Sequence, residues 1–467
     1  MNRINLLASL CKGSNIVCDI GCDHAYVLIE AIKSYNVKKG IASDIGVGPL
    51  EMAKKSINEA MLNDKIELCL SNGFENVDSK FDTAIIAGMG GSLIIDILSN
   101  GLSKLGDSKL ILQPNNDRFK LRVFLKNNNY KIIDEYAFVD SNKYYEIIVA
   151  VPGQAEYDFY DLKYGPILRN NMNSDYINHY RKELLHLESI VGNIKNNQQI
   201  LDKKIEISQL KYLLGDVNME KINILNTDNY YTTHFIDDTK RPTIVVSPGG
   251  GYKYTSPRES QPVVNVFNSL GYHVVVVHYR QTIEDAYPKT AIYLAEAIKA
   301  VRADERCSKL IGLGFSAGGH NMLEVSIRAN NYGDNGKPDL LMLGYPVVTS
   351  DNRYWHQGSF EYLLKDKFNN KDALDFVSLE KHIPLDAPDL FLWGTYTDES
   401  VDVMNSLLLI QAYKEKNLNV EYHMFPMGGH GLSVCNMESA EGNLAKVNPY
   451  IARWVNLADE WIKEKIK

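Results

Sequence analysis

A serine, a carboxylate and an imidazole in the last third of the chain have the types and order needed for acyl transfer. Ser316 stands between glycines in "GFSAGGH", residues 314 to 320, after the apolar run "KLIGLG" and before a helix-like segment. Small neighbours allow a serine to sit on a strained strand-to-helix turn with its hydroxyl exposed. Asp398 in "WGTYTDESV" and His430 in "FPMGGHGL" each follow a strand-like run, giving the order Ser, acid, His. An imidazole can take the serine proton while a carboxylate orients it. The run "SPGGGY" adds Gly250 and Gly251, whose backbone N–H groups can receive an oxyanion together with that of Ala317. A lone serine between glycines reads as a turn residue; four parts in agreement favour a nucleophile. Among competitors, Glu399 adjoins Asp398, but Asp398 precedes Val401 by three in a D-x-x-V pattern and is preferred. His320 follows the elbow too closely, and His423 lies inside a strand-like run and reads as a packed core residue.

A second constellation occupies the front of the chain. Asp19, Gly21, Asp23 and His24 close the first strand-like run, "NIVCDIGCDH", and Asp44 closes the second. Asn72 and Gly73 end the third, and Gly88, Met89, Gly90 and Gly91 end the fourth. Glycine lets the backbone turn tightly beneath a ligand, and carboxylates there suit ammonium or hydroxyl groups rather than phosphate. An acidic residue at the end of the second strand is placed to accept hydrogen bonds from a ribose diol. The pattern is not the G-x-G-x-x-G of dinucleotide binders.

The elements that must hold these residues read as two α/β domains. A length of 467 residues exceeds one hydrophobic core. Five strand–helix units and two adjacent strands fill residues 15 to 152, which predicts a largely parallel sheet with an antiparallel hairpin at its edge. Ile177, Tyr180, Leu184, Leu187, Val191 and Ile194 form a heptad seam. A second periodic stretch holds Leu201, Ile205, Leu210 and Leu214, so two antiparallel helices are expected around the polar "NIKNNQQ". The segment "NMEKINILNTDNYYTTHFIDDTKRP" reads as an extended polar lead-in to a second parallel sheet beginning at "PTIVVS". The expected divisions are 1–157, 158–217 and 218–467. Residues 350–386 interrupt the second sheet as a cap, where Tyr354, Trp355 and Phe360 suit equally a sugar-stacking surface or the cap's own core.

Composition excludes several classes. With 45% hydrophobic and 23% charged residues and no apolar run of membrane-spanning length, a soluble protein without a membrane partner is expected. No secretory signal pattern opens the chain, which makes the cytoplasm the expected compartment. The net charge is −8, so a nucleic-acid partner would have to be held by local patches. "NNDRFKLRVFLK" offers Arg118, Lys120, Arg122 and Lys126, although taken alone these are preferred as a solvated helix face. Six cysteines without a C-x-x-C pair read as reduced core thiols, and no metal is expected.

"CDIGCDHAYV", "GIASDIGVGPLEMAKKSI", "AIIAGMGG" and "LILQPNNDRFKLRVFL" resemble the bacterial tRNA (adenine-N1)-methyltransferases that modify adenine 22, over residues 4 to 215. The resemblance implies a class I methyltransferase fold with a helical extension, S-adenosyl-L-methionine as cofactor and tRNA as partner. It implies that Asp19, Gly21 and Asp23, beside His24, surround the methionine part of the cofactor, Asp44 its ribose, and Asn72 and Gly73 its adenine. Gly88 to Gly91 and Gln113, Pro114 and Asn115 would line the methyl-transfer face; from the reaction chemistry, not the resemblance, Asp23 or Asp117 is a candidate to stabilise the cationic ring. From about 240 to 465 the chain resembles acetyl-xylan-esterase-like and feruloyl-esterase-like α/β-hydrolases, through "PGGGYKYTSPRES", "GYHVVVVHYR", "GFSAGGH" and "FPMGGHGL". This resemblance implies hydrolysis of short acyl esters, with sugar esters among the substrates. Gly394, where the family pattern has His before the threonine, is a departure that bears on the acid loop. A fusion of two enzymes follows; the alternatives are one silent module acting as a binding platform, or a serine peptidase in the back half.

Overall fold

The computed structural model describes residues 2–279, 287–333 and 335–467; Arg280, at the end of "GYHVVVVHYR", lies outside them. The chain forms two compact units, Met1–Glu183 and Leu184–Lys467.

The first unit is built on β1 (Ile16–Ile20), β2 (Lys39–Asp44), β3 (Ile66–Leu70), β4 (Thr83–Met89), β5 (Lys109–Pro114), β6 (Tyr130–Asp140) and β7 (Lys143–Pro152). Their order is β3-β2-β1-β4-β5-β7-β6. The first five strands run parallel, and β7 pairs antiparallel with both β5 and β6. Alternation along each strand sends Val17, Ile85 and Ile111 to one buried face and Cys18, Ile86 and Leu112 to the other. Both faces are covered, which explains the unbroken apolar runs. Strand order reverses between β1 and β4, opening a crevice at their carboxyl ends.

In the "NNDRFKLRVFLK" helix Arg118 and Arg122 are drawn inward, while Lys120 stays exposed as on a solvated face. Arg122 has no exposed surface and pairs with Glu135 and Glu146, each at 2.7 Å. Arg118 approaches Glu146 at 3.6 Å and Lys120 pairs with Asp117 at 3.0 Å. Lys126 donates to the Tyr157 carbonyl at 3.4 Å. Desolvation explains the pairing: an isolated buried guanidinium would cost several kcal/mol.

Both expected helices form, over Ser174–Val191 and Asn197–Leu214. Asn196 caps the second by accepting the Gln199 N–H at 3.0 Å, so the break in the polar run falls before Asn197 and its glutamines are helical. Gln209 of this helix donates to the buried Glu438 at 2.8 Å, and Ser208 donates to Asn265 at 2.9 Å.

The second unit contains β8 (Asn218–Asn223), β9 (Tyr230–Phe235), β10 (Arg241–Ser247), β11 (His273–His278), β12 (Cys307–Phe315), β13 (Leu340–Gly344), β14 (Asp389–Thr395) and β15 (Val420–Phe425). Their order is β15-β14-β13-β12-β10-β11-β9-β8. The supposed lead-in is an antiparallel hairpin, β8–β9, that closes one sheet edge. β8 is almost wholly exposed, so pairing alone makes it a strand and its composition stays polar. In the cap, Phe360 is buried and the Trp355 ring stacks on Phe360 and Phe368, with centroids 6.3 and 5.6 Å apart. Trp355 and Phe360 thus belong to the core between cap and sheet, whereas Tyr354 stays outside it with Arg353 over its ring at 5.2 Å.

Candidate active sites

In the second unit, β12 ends at Phe315 and a helix begins at Ser316, whose φ of +52° marks a strained turn. Gly314 permits it, because a Cβ there would lie 2.6 Å from the Gly318 carbonyl oxygen. The Ser316 hydroxyl meets His430 Nε2 at 2.8 Å, and His430 Nδ1 donates to Asp398 Oδ2 at 2.7 Å. A carboxylate can only accept, so Nδ1 carries the proton and Nε2 faces serine as an acceptor. Asp398 Oδ1 accepts the N–H groups of Ser400 at 2.9 Å and Val401 at 3.0 Å. The D-x-x-V spacing therefore serves to pin the carboxylate. Thr395 and Thr397 both donate to the Gly428 carbonyl, at 2.9 and 3.0 Å, tying the acid loop to the histidine loop. The Gly394 departure leaves the relay intact.

Gly250 and Gly251 line a cavity of about 290 Å³ together with Ser316 and His430. Their φ angles of +120° and +61° need glycine. Ala317 is buried at the start of the elbow helix, where N–H groups lack intrahelical acceptors. Of the competitors, Glu399 is exposed, and His320 is buried between the Tyr252 hydroxyl and the Val377 carbonyl, each at 2.8 Å. His423 is half-buried and paired with Glu421 at 2.7 Å, not a core residue: β15 is the sheet edge and leaves its face open. Residues that the motifs did not flag also reach this cavity, among them His356 from the cap, Tyr254 and Glu259. Glu259 lies in the "SPRES" run beside the glycines, which is the one signal that could have found it.

In the first unit, the strand ends converge on the crevice between β1 and β4. Asp19 is 4% exposed and its carboxylate accepts no hydrogen bond among the described residues. Burial pushes its pKa up to about 7, with Arg3 opposing and Asp44 adding to the rise. Gly21, at φ +74°, donates to the Ser43 carbonyl at 2.8 Å, and the Met89 side chain packs on its Cα where a Cβ would intrude. Asn115 joins the ends of β4 and β5: its Nδ2 donates to the Gly88 carbonyl at 2.7 Å and its N–H to the Met89 carbonyl at 2.8 Å. Gln113 is fully buried, donates to Asn115 Oδ1 at 3.2 Å, and has no partner for its own Oε1. Pro114 closes β5 in register with Met89.

Other candidates are engaged nearer home. Asp44 Oδ1 accepts the Gly46 N–H at 2.9 Å, and Asn72 donates to Glu75 at 3.0 Å. The Gly73 carbonyl takes the Ser43 hydroxyl at 3.4 Å, linking the third strand end to the second. The Asp23 side chain is exposed at φ +46°, and the His24 ring stacks on Tyr26 at 5.1 Å. Lys120 and Ser92, at 3.0 and 2.9 Å, hold Asp117 below the ordinary carboxylate range. Two residues went unnoticed in the sequence. Arg3 comes so near Gly88 that a Cβ there would lie 2.7 Å from its guanidinium, and Asn116 accepts the Gly91 N–H at 3.1 Å while facing Gly90. Among the described residues no cluster of three metal-ligating side chains occurs, and no helix is long and apolar enough to cross a membrane.

Comparison with known proteins separates the same two regions. Residues 17–212 match the family model for tRNA (adenine(22)-N(1))-methyltransferase, and residues 244–387 match that for the alpha/beta hydrolase fold. The tRNA (adenine(22)-N(1))-methyltransferase of Bacillus subtilis is 33% identical over 226 residues, 46% of this chain and 95% of that protein. Endo-1,4-beta-xylanase B of Butyrivibrio fibrisolvens is 33% identical over 222 residues, 44% of this chain; the chain spans only 35% of the xylanase. The structure of Streptococcus pneumoniae Sp1610 with S-adenosyl-L-methionine is 34% identical and covers 46% of this chain and 100% of its own, with a TM-score of 0.43.

Proposed function

We propose that this chain, which belongs through its front half to the tRNA (adenine(22)-N(1))-methyltransferase family, is a bifunctional enzyme that methylates N1 of an adenine in tRNA and hydrolyses short acyl esters. The proposed domains are 1–157 for methyl transfer, 158–217 as a helical extension and 218–467 for hydrolysis, acting in the cytoplasm.

The hydrogen-bonded line Ser316–His430–Asp398 carries the second activity. Ser316 Oγ attacks the ester carbonyl as His430 Nε2 takes its proton, and Asp398 steadies the imidazolium. The oxyanion falls to the N–H groups of Gly250, Gly251 and Ala317. His430 then protonates the departing alcohol, and a water molecule, deprotonated by His430, releases the acid from Ser316. Among the described residues no aliphatic side chain lines the cavity, so an acetyl-sized acyl group on a polar alcohol suits it better than a long chain.

For the front site, the buried Asp19 carboxylate and the tight glycine turn at Gly21 fit an ammonium-bearing nucleoside ligand. Asp19, Gly21, Asp44, Asn72, Gly73 and the strip Gly88–Gly90 would hold S-adenosyl-L-methionine, with Asp23 and His24 at its edge. When bound, it supplies an electrophilic methyl group on a sulfonium sulfur. N1 of neutral adenine carries its own lone pair, so no base has to remove a proton, and positioning dominates. Asn115, beside the Gln113–Pro114 end of β5, would hydrogen-bond the extruded base away from N1, whose lone pair attacks the methyl group.

Two assays test the proposal. Unmodified tRNA and labelled cofactor should yield 1-methyladenine; absence of product on any tRNA would remove the first activity. A short-acyl nitrophenyl ester should be cleaved faster than a peptide substrate, and Ser316→Ala should abolish cleavage; faster peptide cleavage would make the back unit a peptidase.

A further inference from the structure

Glu259, in the "SPRES" run after the glycine strip, takes no part in the relay described above, yet it is 2% exposed with both carboxylate oxygens engaged. Oε2 accepts the N–H of Gly249 at 2.7 Å, and Oε1 accepts the hydroxyl of Tyr345 at 2.7 Å. Each bond leads to a different part of the site.

Gly249 immediately precedes Gly250 and Gly251, and a Cβ on it would lie 2.9 Å from the Ser316 Cβ. Its carbonyl accepts the Ser256 N–H at 3.0 Å. That carbonyl and the Gly250 N–H share one trans peptide plane and point oppositely, so fixing one aims the other. Glu259 fixes the preceding plane, which leaves the direction of the glycine strip determined from both sides. On the other branch, the Tyr345 hydroxyl also accepts the Ser433 N–H at 2.9 Å, three residues beyond His430. The Tyr345 ring stands edge-on to the His430 ring, with centroids 5.0 Å apart. The Glu259 turn is tied to the histidine loop a second time, because Ser433 Oγ donates to the Arg258 carbonyl at 2.7 Å.

We infer that Glu259 is a positioning residue for acyl transfer: it aims the oxyanion donors through Gly249 and seats His430 through Tyr345. The inference rests on the reading of Ser316 as the nucleophile. A double acceptor is required at this position. Glutamine offers one acceptor and one donor, and so opposes a donor to either the Gly249 N–H or the Tyr345 hydroxyl.

The test uses the full chain carrying Glu259→Gln or Tyr345→Phe, a short-acyl nitrophenyl ester, and a trifluoromethyl ketone that adds to a serine hydroxyl and leaves an oxyanion. In Glu259→Gln, kcat should fall about 10- to 100-fold with KM within about threefold, and ketone affinity should fall by a matching factor. Tyr345→Phe keeps the ring against His430 and loses only the hydroxyl, so its kcat should fall less, by about 3- to 10-fold. It also serves if Glu259→Gln fails to fold. Folded variants with kcat and ketone affinity within about twofold of the parent, or a loss confined to melting temperature, would overturn the inference. Ser316→Ala runs alongside: surviving activity there would remove the nucleophile and the inference together, whereas an inactive Ser316→Ala beside an unaffected Glu259→Gln overturns the inference alone.

Discussion

Ser316 and His430 stand 114 residues apart in the chain and meet at 2.8 Å. Parallel strand order makes this meeting possible: β12 and β15 run in the same direction, so the loops that follow them emerge on the same rim of the sheet. Asp398, after β14, emerges between them.

The relay predicts the cost of losing its third member. Asp398→Asn keeps the shape and the acceptor for Val401, but lets Nδ1 of His430 accept and Nε2 carry the proton toward serine. In that tautomer the imidazole cannot act as base. kcat on a nitrophenyl ester should fall by about 10⁴-fold with little change in KM, measured at neutral pH in the folded variant. A loss under tenfold would mean that another group orients His430.

Asp19 makes stability depend on pH in a definite direction. Its folded pKa of about 7 lies above the ordinary 3.8, chiefly because burial penalises the charged form. Between about pH 4 and 7 the folded state keeps a proton that the unfolded state has released, so the stability present below pH 4 is lost as pH rises through 7. A displacement from 3.8 to about 7 limits this contribution to about 4 kcal/mol. Asp19→Asn should flatten this slope in urea titrations at pH 5 and 8, and calorimetry should show loss of S-adenosyl-L-methionine binding. An unchanged slope would place the proton elsewhere.

Both sites were legible in outline because buried parallel strands read as unbroken apolar runs, and the first polar or glycine residue after each run marks the rim. Asp44 and Ser316 sit at such junctions, Asp19 is the penultimate residue of β1, and Asp398 and His430 lie on the loops just past β14 and β15. What stayed hidden depends on distant partners. β8 is exposed and polar, and only its pairing with β9 makes it a strand. Arg122 looks like a solvated base until Glu135 and Glu146 arrive from β6 and β7. Arg3 reaches Gly88 across 85 positions of sequence, and no local pattern announces that approach.

Gln113 carries an orphaned acceptor at the end of β5. Oε1 is buried without a partner, which costs about 1–3 kcal/mol relative to a satisfied group. Gln113→Leu should therefore leave thermal stability unchanged or raised, while methyl transfer to tRNA falls by about 10- to 100-fold because Asn115 loses the donor that orients its amide. Stability that drops together with activity would assign Gln113 to the core instead.

Arg122 tests how far the front unit depends on a buried charge triad. Its guanidinium holds two carboxylates, Glu135 from β6 and Glu146 from β7, with no exposed surface on any of the three side chains. Glu135 in turn accepts the Ile167 N–H at 2.9 Å, and Glu146 accepts hydroxyls from Tyr144 at 2.9 Å and Tyr180 at 3.3 Å. Arg122→Ala would strand both carboxylates and open a cavity, so unfolding free energy should drop by about 3–5 kcal/mol. Pairing Arg122→Met with Glu146→Gln removes both members of one ion pair and refills the space, and should recover part of that loss. If the single and double variants unfold at the same urea concentration, neither the cavity nor the stranded Glu146 carboxylate accounts for the loss.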